Sequence, residues 1–390
     1  MSRADAGGPA TRSGGPSPEG TSSRAEPTAE AESEHPATGM RVLVVTGLAH
    51  KNARHYGPLA DVADDVTLVS LDPEYAIEEA RYVPVPKIGT RLLRIVLLFF
   101  LALYEGYRRE YDAVASISLL PYGCYALVLS RLYGVPAHLG IIGVDLDHHA
   151  HQWYGPLPRA AFRRFDVVSV PGPSHARELA RMGVPESNVA ILTNAIDVDT
   201  YRPLEDGPDP EYDVVWVGRF SAEKAPLRFV EALAALEERR EVRAAMVGDG
   251  PLRPDVETTL EDAGLADRVD LPGWVDEPAE YYRRGRIFAL TSSRDAMPLV
   301  MLEAMATGMA PVVPPVGSIP DVIEDGENGL LVPDRTPETF AAAIERLLED
   351  DAHRQKLSEN AASVGQGFSL ERAGEDWRAI LATLADTRTR

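Results

Sequence analysis

Cysteine occurs once in the 390 residues, at Cys124, which excludes an intramolecular disulfide and any disulfide-built secreted scaffold. Lysine is almost as scarce: Lys51, Lys87, Lys224 and Lys356 are the whole set, so arginine carries nearly all the positive charge. No apolar run approaches the roughly 20 residues that a membrane span needs. The longest, Leu92–Tyr104, is shorter and contains Arg94. Residues 1–39 are Ser-, Gly-, Pro-, Ala-, Thr- and Glu-rich without the apolar stretch of a secretory leader, and are expected to form a disordered tail. The expected location is cytoplasmic. Also missing is a Gly-x-Gly-x-x-Gly after the first strand, where Thr46-Gly47-Leu48-Ala49 stands, and this argues against a dehydrogenase.

What is abundant is acid. Sixty Asp and Glu against 39 Lys and Arg leave a net charge of −21, a surface that repels nucleic-acid phosphates. The acid-rich, lysine-poor balance resembles that of proteins from salt-filled cytoplasms. Hydrophobic content of 45% is ample for packed cores, and the length calls for two domains of ordinary size.

From residue 40 the chain alternates apolar strands with helices. Arg41–Thr46, Val66–Leu71, Ala113–Ser118, His138–Ile142, Val167–Val170 and Val189–Thr193 are expected strands, with a helix around His175–Met182. The Pro- and Asp-rich stretch 202–211 reads as a linker. A second set follows at Val214–Val217, Ala244–Val247, Arg268–Leu271, Ile287–Thr291 and Pro311–Val313, with helices over Leu227–Arg240, Leu252–Ala263, Leu299–Thr307 and Pro337–Glu349. Uninterrupted apolar strands separated by helices indicate parallel sheets covered on both faces. The fold class expected is α/β: two doubly wound, Rossmann-like domains facing a central cleft, with a ligand at the carboxyl ends of the strands.

The chemistry concentrates in the second half. Gly218-Arg219 ends a strand and Lys224 follows before a helix; glycine admits close approach to the backbone, while a guanidinium fork and an ammonium suit a diphosphate. The glycines of MVGDGPL, among them Gly248, end another strand, and LPGWV offers Trp274 and Val275 to a base. In Ser292–Pro320 the helix is expected to start near Pro298, with the N–H groups of Leu299, Val300 and Met301 open to an anion. Asp295 and Glu303 flank that helix end, and Gly308 fits its close. Phosphate on the helix end and hydroxyls on the carboxylates would suit a sugar nucleotide.

These segments resemble glycosyltransferase family 4, retaining enzymes of the GT-B fold. The matching residues are Gly218-Arg219…Lys224, Val247–Leu252, Gly273–Val275, Asp295…Glu303, Ala304-Met305, Pro311–Val313 and Gly317–Pro333; in the first half the resemblance rests on Pro173–Pro203. After the disordered tail 1–39 it implies an acceptor-side domain 40–201, a donor domain 202–370 and a terminal helix 371–390 that crosses back. It implies sugar transfer from a UDP- or GDP-linked donor to a glycan, lipid-linked or polysaccharide hydroxyl with retention, with no cofactor and no metal. Arg219 and Lys224 would hold the diphosphate, Glu303 the ribose and Asp295 the sugar hydroxyls. Backbone at Trp274 and Val275 would meet the base, and the amides of Leu299 and Val300 the phosphate. An epimerase or phosphorylase of the same fold, or a non-catalytic sugar-nucleotide binder, is the alternative.

Four positions depart from the family pattern. Asp295 replaces the usual Glu, Ala296 and Ala225 stand where Gly is common, and Ile142 occupies the position of a histidine in Ile142-Gly143-Val144-Asp145. Just beyond, Asp145–His151 crowds three histidines. Its spacing fits no standard zinc pattern, and it is read as a mobile loop in which Asp145 and His148 contact acceptor or donor. The Leu92–Tyr104 run admits two readings: a core helix, or an interfacial one flanked by Lys87, Arg91, Arg94, Arg108 and Arg109 that touches the inner membrane face.

Overall fold

Fully apolar strands demand cover on both faces, and the computed structural model, which describes residues 39–48, 52–71, 77–204 and 209–389, builds two wholly parallel sheets that meet this demand. The first contains β1 (Arg41–Thr46), β2 (Asp65–Ser70), β3 (Arg81–Pro84), β4 (Ala113–Ile117), β5 (Ala137–Gly140), β6 (Val167–Val170) and β7 (Val189–Ile191), in the order β3-β2-β1-β4-β5-β6-β7. The second contains β8 (Tyr212–Val217), β9 (Ala244–Val247), β10 (Val269–Gly273), β11 (Gly285–Ala289), β12 (Ala310–Val313) and β13 (Leu330–Leu331), in the order β10-β9-β8-β11-β12-β13. Strand order reverses between β1 and β4 and again between β8 and β11. Those are the switch points where an open α/β sheet leaves a crevice. The expected doubly wound, Rossmann-like fold class is what the chain adopts.

Two strands were not expected. β3 is an edge strand with none of its four residues buried, and β13 is only two residues long, so neither carries the continuous apolar run of a central strand. Registers are direct where the strands are long: Arg41 to Thr46 of β1 pair one-to-one with Asp65 to Ser70 of β2. Each sheet is packed on both faces; Val214, Trp216, Phe229 and Phe340 lie on one side of the second sheet, while Val215, Phe288, Met301 and Met305 lie on the other.

The helix Arg91–Arg108 has one side packed and one side exposed. It buries Leu98, Ala102 and Glu105 against the first sheet, yet Leu92, Leu93, Val96, Phe100, Tyr104 and Tyr107 on its outer side are exposed. Arg94 is not a surface cation, because its guanidinium turns inward to the Leu71 carbonyl. Among the described residues no helix is long and apolar enough to cross a membrane.

Several contacts among the described residues tie the two halves together. Asp321, beyond β12, accepts from Ser174 N at 2.8 Å and Ser174 Oγ at 2.6 Å, so a carboxylate from the second sheet's side caps the helix Pro173–Arg181. Gly172 precedes that helix because a Cβ there would lie 2.7 Å from Ser318 Oγ. Asn194 donates to the Met297 carbonyl at 3.0 Å. Finally the helix Leu370–Arg388 returns to the first sheet: Asp376 accepts from Thr193, the Trp377 indole donates to the His55 carbonyl at 3.1 Å, and Arg388 pairs with Asp112. The expected tail falls, but for Gly39, outside the described residues, as do positions 205–208 of the expected linker.

Candidate functional site

At the carboxyl end of β8 the chain must pass the end of β9 at contact distance. Gly218 N donates to the Val247 carbonyl at 3.0 Å, and Gly248, at φ +136°, lies so close that a Cβ would come 1.9 Å from the Gly218 carbonyl oxygen. Only glycine fits there. Arg219 follows, exposed to solvent.

Lys224 is held from two directions. Its carbonyl and that of Ala225 accept from the Thr291 hydroxyl at 3.2 and 2.9 Å, while Ser293 N reaches the Glu223 carbonyl at 2.8 Å. The loops after β8 and β11 are thereby stitched together. The Lys224 ammonium forms an ion pair with Asp295, both side chains being largely buried. Ala225 adopts the left-handed conformation, φ 48° and ψ 55°, just before the helix Pro226–Glu237. That accounts for glycine being usual at this position.

The helix Leu299–Ala306 begins at Leu299 as expected, with Pro298 as its cap. The Met301 and Leu302 amides already turn back to the Pro298 carbonyl, so Met301 is not an open donor. The amides of Leu299 and Val300 reach no backbone carbonyl among the described residues and form the helix's free N-terminus. Gly317, at φ +57°, presses on this loop: a Cβ would meet the Asp295 carbonyl oxygen at 1.9 Å.

Glu303 sits on the buried side of that helix, 8% exposed. Its carboxylate accepts from the hydroxyl of the fully buried Tyr282 at 3.2 Å. Burial pushes its pKa up, opposed by the positive charge of Arg54 on the helix Asn52–Ala60 and by the Tyr282 bond. Trp274 is exposed, its indole donating to Asp276 at 3.0 Å, whereas Val275 packs on the core below β10.

The first-half candidates fare differently. Asp145 is a buried residue at 3% exposure, and its carboxylate takes the Leu119 amide at 2.9 Å, holding the turn after β4. Burial raises its pKa. The expected open-loop acid is thus a structural one, since a short helical turn from Val144 to Asp147 carries it inward. His148 stays half-buried beside Gln152 at 3.2 Å, His149 pairs with Tyr154 at 2.7 Å and His151 with Glu178 at 2.7 Å. Those histidines are spent on separate local partners. Among the described residues no group of three or more His, Cys, Asp or Glu is gathered as a metal site. Ile142 lines a small crevice at the ends of β5 to β7 with His55, Ser169 and Asn194.

Sequence reasoning missed Tyr282, Arg54 and Asn194. Tyr282 belongs to an unremarkable EYYRR stretch, and Arg54 acts across the cleft from another domain, so neither spacing nor composition flags them. Asn194 lies in the TNAID segment of the interdomain approach, which was the available signal.

Comparison with known proteins places this geometry. Residues 211–350 match the family described as "Glycosyl transferases group 1", and residues 28–195 match the "Glycosyl transferase 4-like domain". Alpha-D-kanosaminyltransferase of Streptomyces kanamyceticus is 37% identical over 45% of this chain and 46% of that protein, so the chain spans about half of that relative. The lipopolysaccharide core biosynthesis glycosyltransferase LpsE of Rhizobium meliloti (strain 1021) is 30% identical over 58% of this chain and 67% of its own length. Among solved structures, Thermosynechococcus elongatus sucrose-phosphate synthase aligns with a TM-score of 0.74 at 20% identity, over 89% of this chain and all of that one. Anabaena HepE in complex with UDP and glucose aligns with a TM-score of 0.71 at 18% identity, over 88% of this chain and 99% of that one. The shared fold is GT-B.

Proposed function

Because this chain belongs to the group 1 glycosyl transferases, we propose that it moves a sugar from a nucleotide-diphosphate donor to an acceptor hydroxyl with retention of configuration. One observation carries the reading: the Lys224–Asp295 pair lies in the same loop system as the free N-terminus of the helix Leu299–Ala306, and Glu303 is buried on that helix. A diphosphate needs cations and oriented N–H groups, and a ribose needs a fixed carboxylate.

In the proposed reaction the bond from anomeric carbon to diphosphate breaks, and charge builds on the leaving phosphate oxygen. Arg219, Lys224 and the amides of Leu299 and Val300 stabilise that charge, the electrostatic contribution expected to dominate. The acceptor proton passes to the departing phosphate, so no separate base is required. Glu303, held by Tyr282, fixes the ribose, and Asp295 reaches the sugar hydroxyls. Since Asp295 binds Lys224 without donor, the arriving diphosphate takes over the ammonium and frees the carboxylate for the sugar. Main chain around Gly218 and Gly248 admits the phosphates, and Trp274 with Val275 flanks the base.

The proposed acceptor is a glycan, lipid-linked or polysaccharide hydroxyl, met at the cytoplasmic face of a membrane. Its support is the exposed apolar side of the helix Arg91–Arg108, bordered by Lys87, Arg91, Arg108 and Arg109 in an otherwise acidic protein. The departures at Asp295, Ala296 and Ile142 favour, as second reading, a binder without turnover.

The test is donor-dependent transfer by Lys224→Ala and Glu303→Gln. Each is expected to lose at least about 100-fold in kcat/KM, the scale of removing one preorganised charge contact. Unchanged activity in both would overturn the assignment, and tight nucleotide binding without turnover by the native chain would favour the binder.

A further inference from the structure

A groove of about 560 Å³ opens on the first domain, away from the strand ends that carry the donor residues. It is lined by His151, Pro156, Arg159, Arg163, Glu178, Arg181 and Met182, from the helices Pro156–Phe162 and Pro173–Arg181 and the chain beside them. Three guanidinium groups share one concavity in a protein whose net charge is −21.

The pairing within the groove is informative. Its carboxylate, Glu178, is engaged by His151 Nε2 at 2.7 Å and forms no ion pair with any of the three arginines. Arg159 spends its Nε on the Ala150 carbonyl at 2.9 Å, which fixes the stem and leaves its terminal nitrogens without a partner among the described residues. The guanidinium groups of Arg163 and Arg181 make no hydrogen bond or ion pair among the described residues. Elsewhere the surplus of acids finds arginines readily: Arg41, Arg239, Arg243, Arg253, Arg268, Arg284 and Arg372 are all ion-paired. Three arginines that line one groove and form no ion pair among the described residues repel one another, which an anion would relieve.

Phosphate matches this set best. Planar guanidinium forks bind its oxygens through paired N–H bonds, and several forks can share one phosphoryl group. The groove is larger than a bare phosphate needs and falls within the range of small-molecule pockets, roughly 300–1,000 Å³. Room therefore remains for a group esterified to the phosphate. The segment that supplies His151 and Pro156 also carries Trp153, 90% exposed, and Leu157, 73% exposed. An exposed indole and an exposed aliphatic side chain on the segment that lines a cationic groove are the kind of anchors expected where the phosphate belongs to an interfacial headgroup.

We propose that this groove is a second anion site, which takes a phosphoester group through Arg159, Arg163 and Arg181. The site shares no residue with the donor crevice, so it stands whether or not the proposed transfer is correct. The phosphoester can come from a lipid headgroup or from a soluble phosphorylated compound.

The experiment compares the full chain with Arg163→Gln/Arg181→Gln in two arms. Calorimetric titration with sn-glycerol 3-phosphate reads the soluble source, and cosedimentation with phosphatidylglycerol-containing vesicles reads the headgroup. Anion binding in the donor crevice and vesicle contact by the helix Arg91–Arg108 are common to both proteins and drop out of the comparison. The double variant is expected to bind at least about 10-fold more weakly in one or both arms, the loss of two charge-assisted contacts. Dependence in the first arm identifies a soluble phosphoester, and dependence confined to the second identifies the headgroup. Equal binding by the two proteins in both arms, or no binding in either, overturns the proposal. Both side chains are exposed, so the variant should melt like the parent; if it does not, Arg181→Gln alone serves the same comparison.

Discussion

Ala225 is held at φ 48° by its neighbours, because the preceding carbonyl and its own are fastened by Thr291 and the next residue opens a helix. An L-residue with a Cβ pays roughly 1–2 kcal/mol for that conformation, while glycine adopts it freely. Glycine is also the better residue at a helix N-cap than alanine. Ala225→Gly is therefore expected to raise stability by about 1 kcal/mol after the added freedom of the unfolded chain is deducted. Urea denaturation measures this, and a destabilised variant would show that the backbone there is not strained. Glu303 illustrates what a residue type alone conveys: an acid among apolar helix neighbours is legible as a buried carboxylate. That Tyr282 holds it and that Arg54 from the other domain tempers its raised proton affinity is not legible, since both partners are remote in sequence.

At the scale of elements, the helix Leu299–Ala306 and its proline could be read almost to the residue, because capping and termination are local. What was not legible is that the Met301 amide turns back to the Pro298 carbonyl at 3.1 Å, which removes it from the open donors. Edge strands β3 and β13 were silent because their pairing depends on neighbours rather than on their own apolar content. The helix Arg91–Arg108 was legible as apolar and helical, but only packing decided that Leu98 and Ala102 go inward while Leu92 and Phe100 stay out. If that outer side meets an anionic membrane, Leu92→Ser/Phe100→Ser should lower vesicle partitioning at least about 10-fold, from the loss of several kcal/mol of apolar insertion. Equal partitioning by variant and parent in cosedimentation would refute it. Folding should persist, as the two side chains are 71% and 56% exposed.

For the whole molecule, the decisive feature is that the chain's end comes back. Trp377 on the returning helix packs edge-on against His138 with ring centroids 4.7 Å apart, and His138 is fully buried beside Ser169. Burial drives the His138 pKa down from 6.5 to about 3. The unfolded chain binds this proton below pH 6.5 and the folded one only near pH 3. The stability linked to His138 is thus intact above about pH 6.5 and is lost as pH falls through that window, at up to about 1.4 kcal/mol per pH unit. Denaturation of the parent and of His138→Gln between pH 7.5 and 5 should show the steeper acid loss in the parent. Parallel profiles would mean that the imidazole is not kept neutral.

Several properties of this protein follow from sequence alone: two parallel α/β sheets, the strand ends that carry glycines, the cationic loop at Lys224, the acid pair and the helix between them. Each rests on interactions between residues near one another in the chain, where periodicity, caps and turn chemistry act directly. Tertiary structure decided what depends on distant segments meeting. It turned Asp145 inward onto the Leu119 amide, set Asp321 as the cap of a helix in the other half, brought Arg54 toward Glu303 and gathered three arginines in one groove. Burial and charge partnership are properties of the packed chain, and no local pattern encodes them.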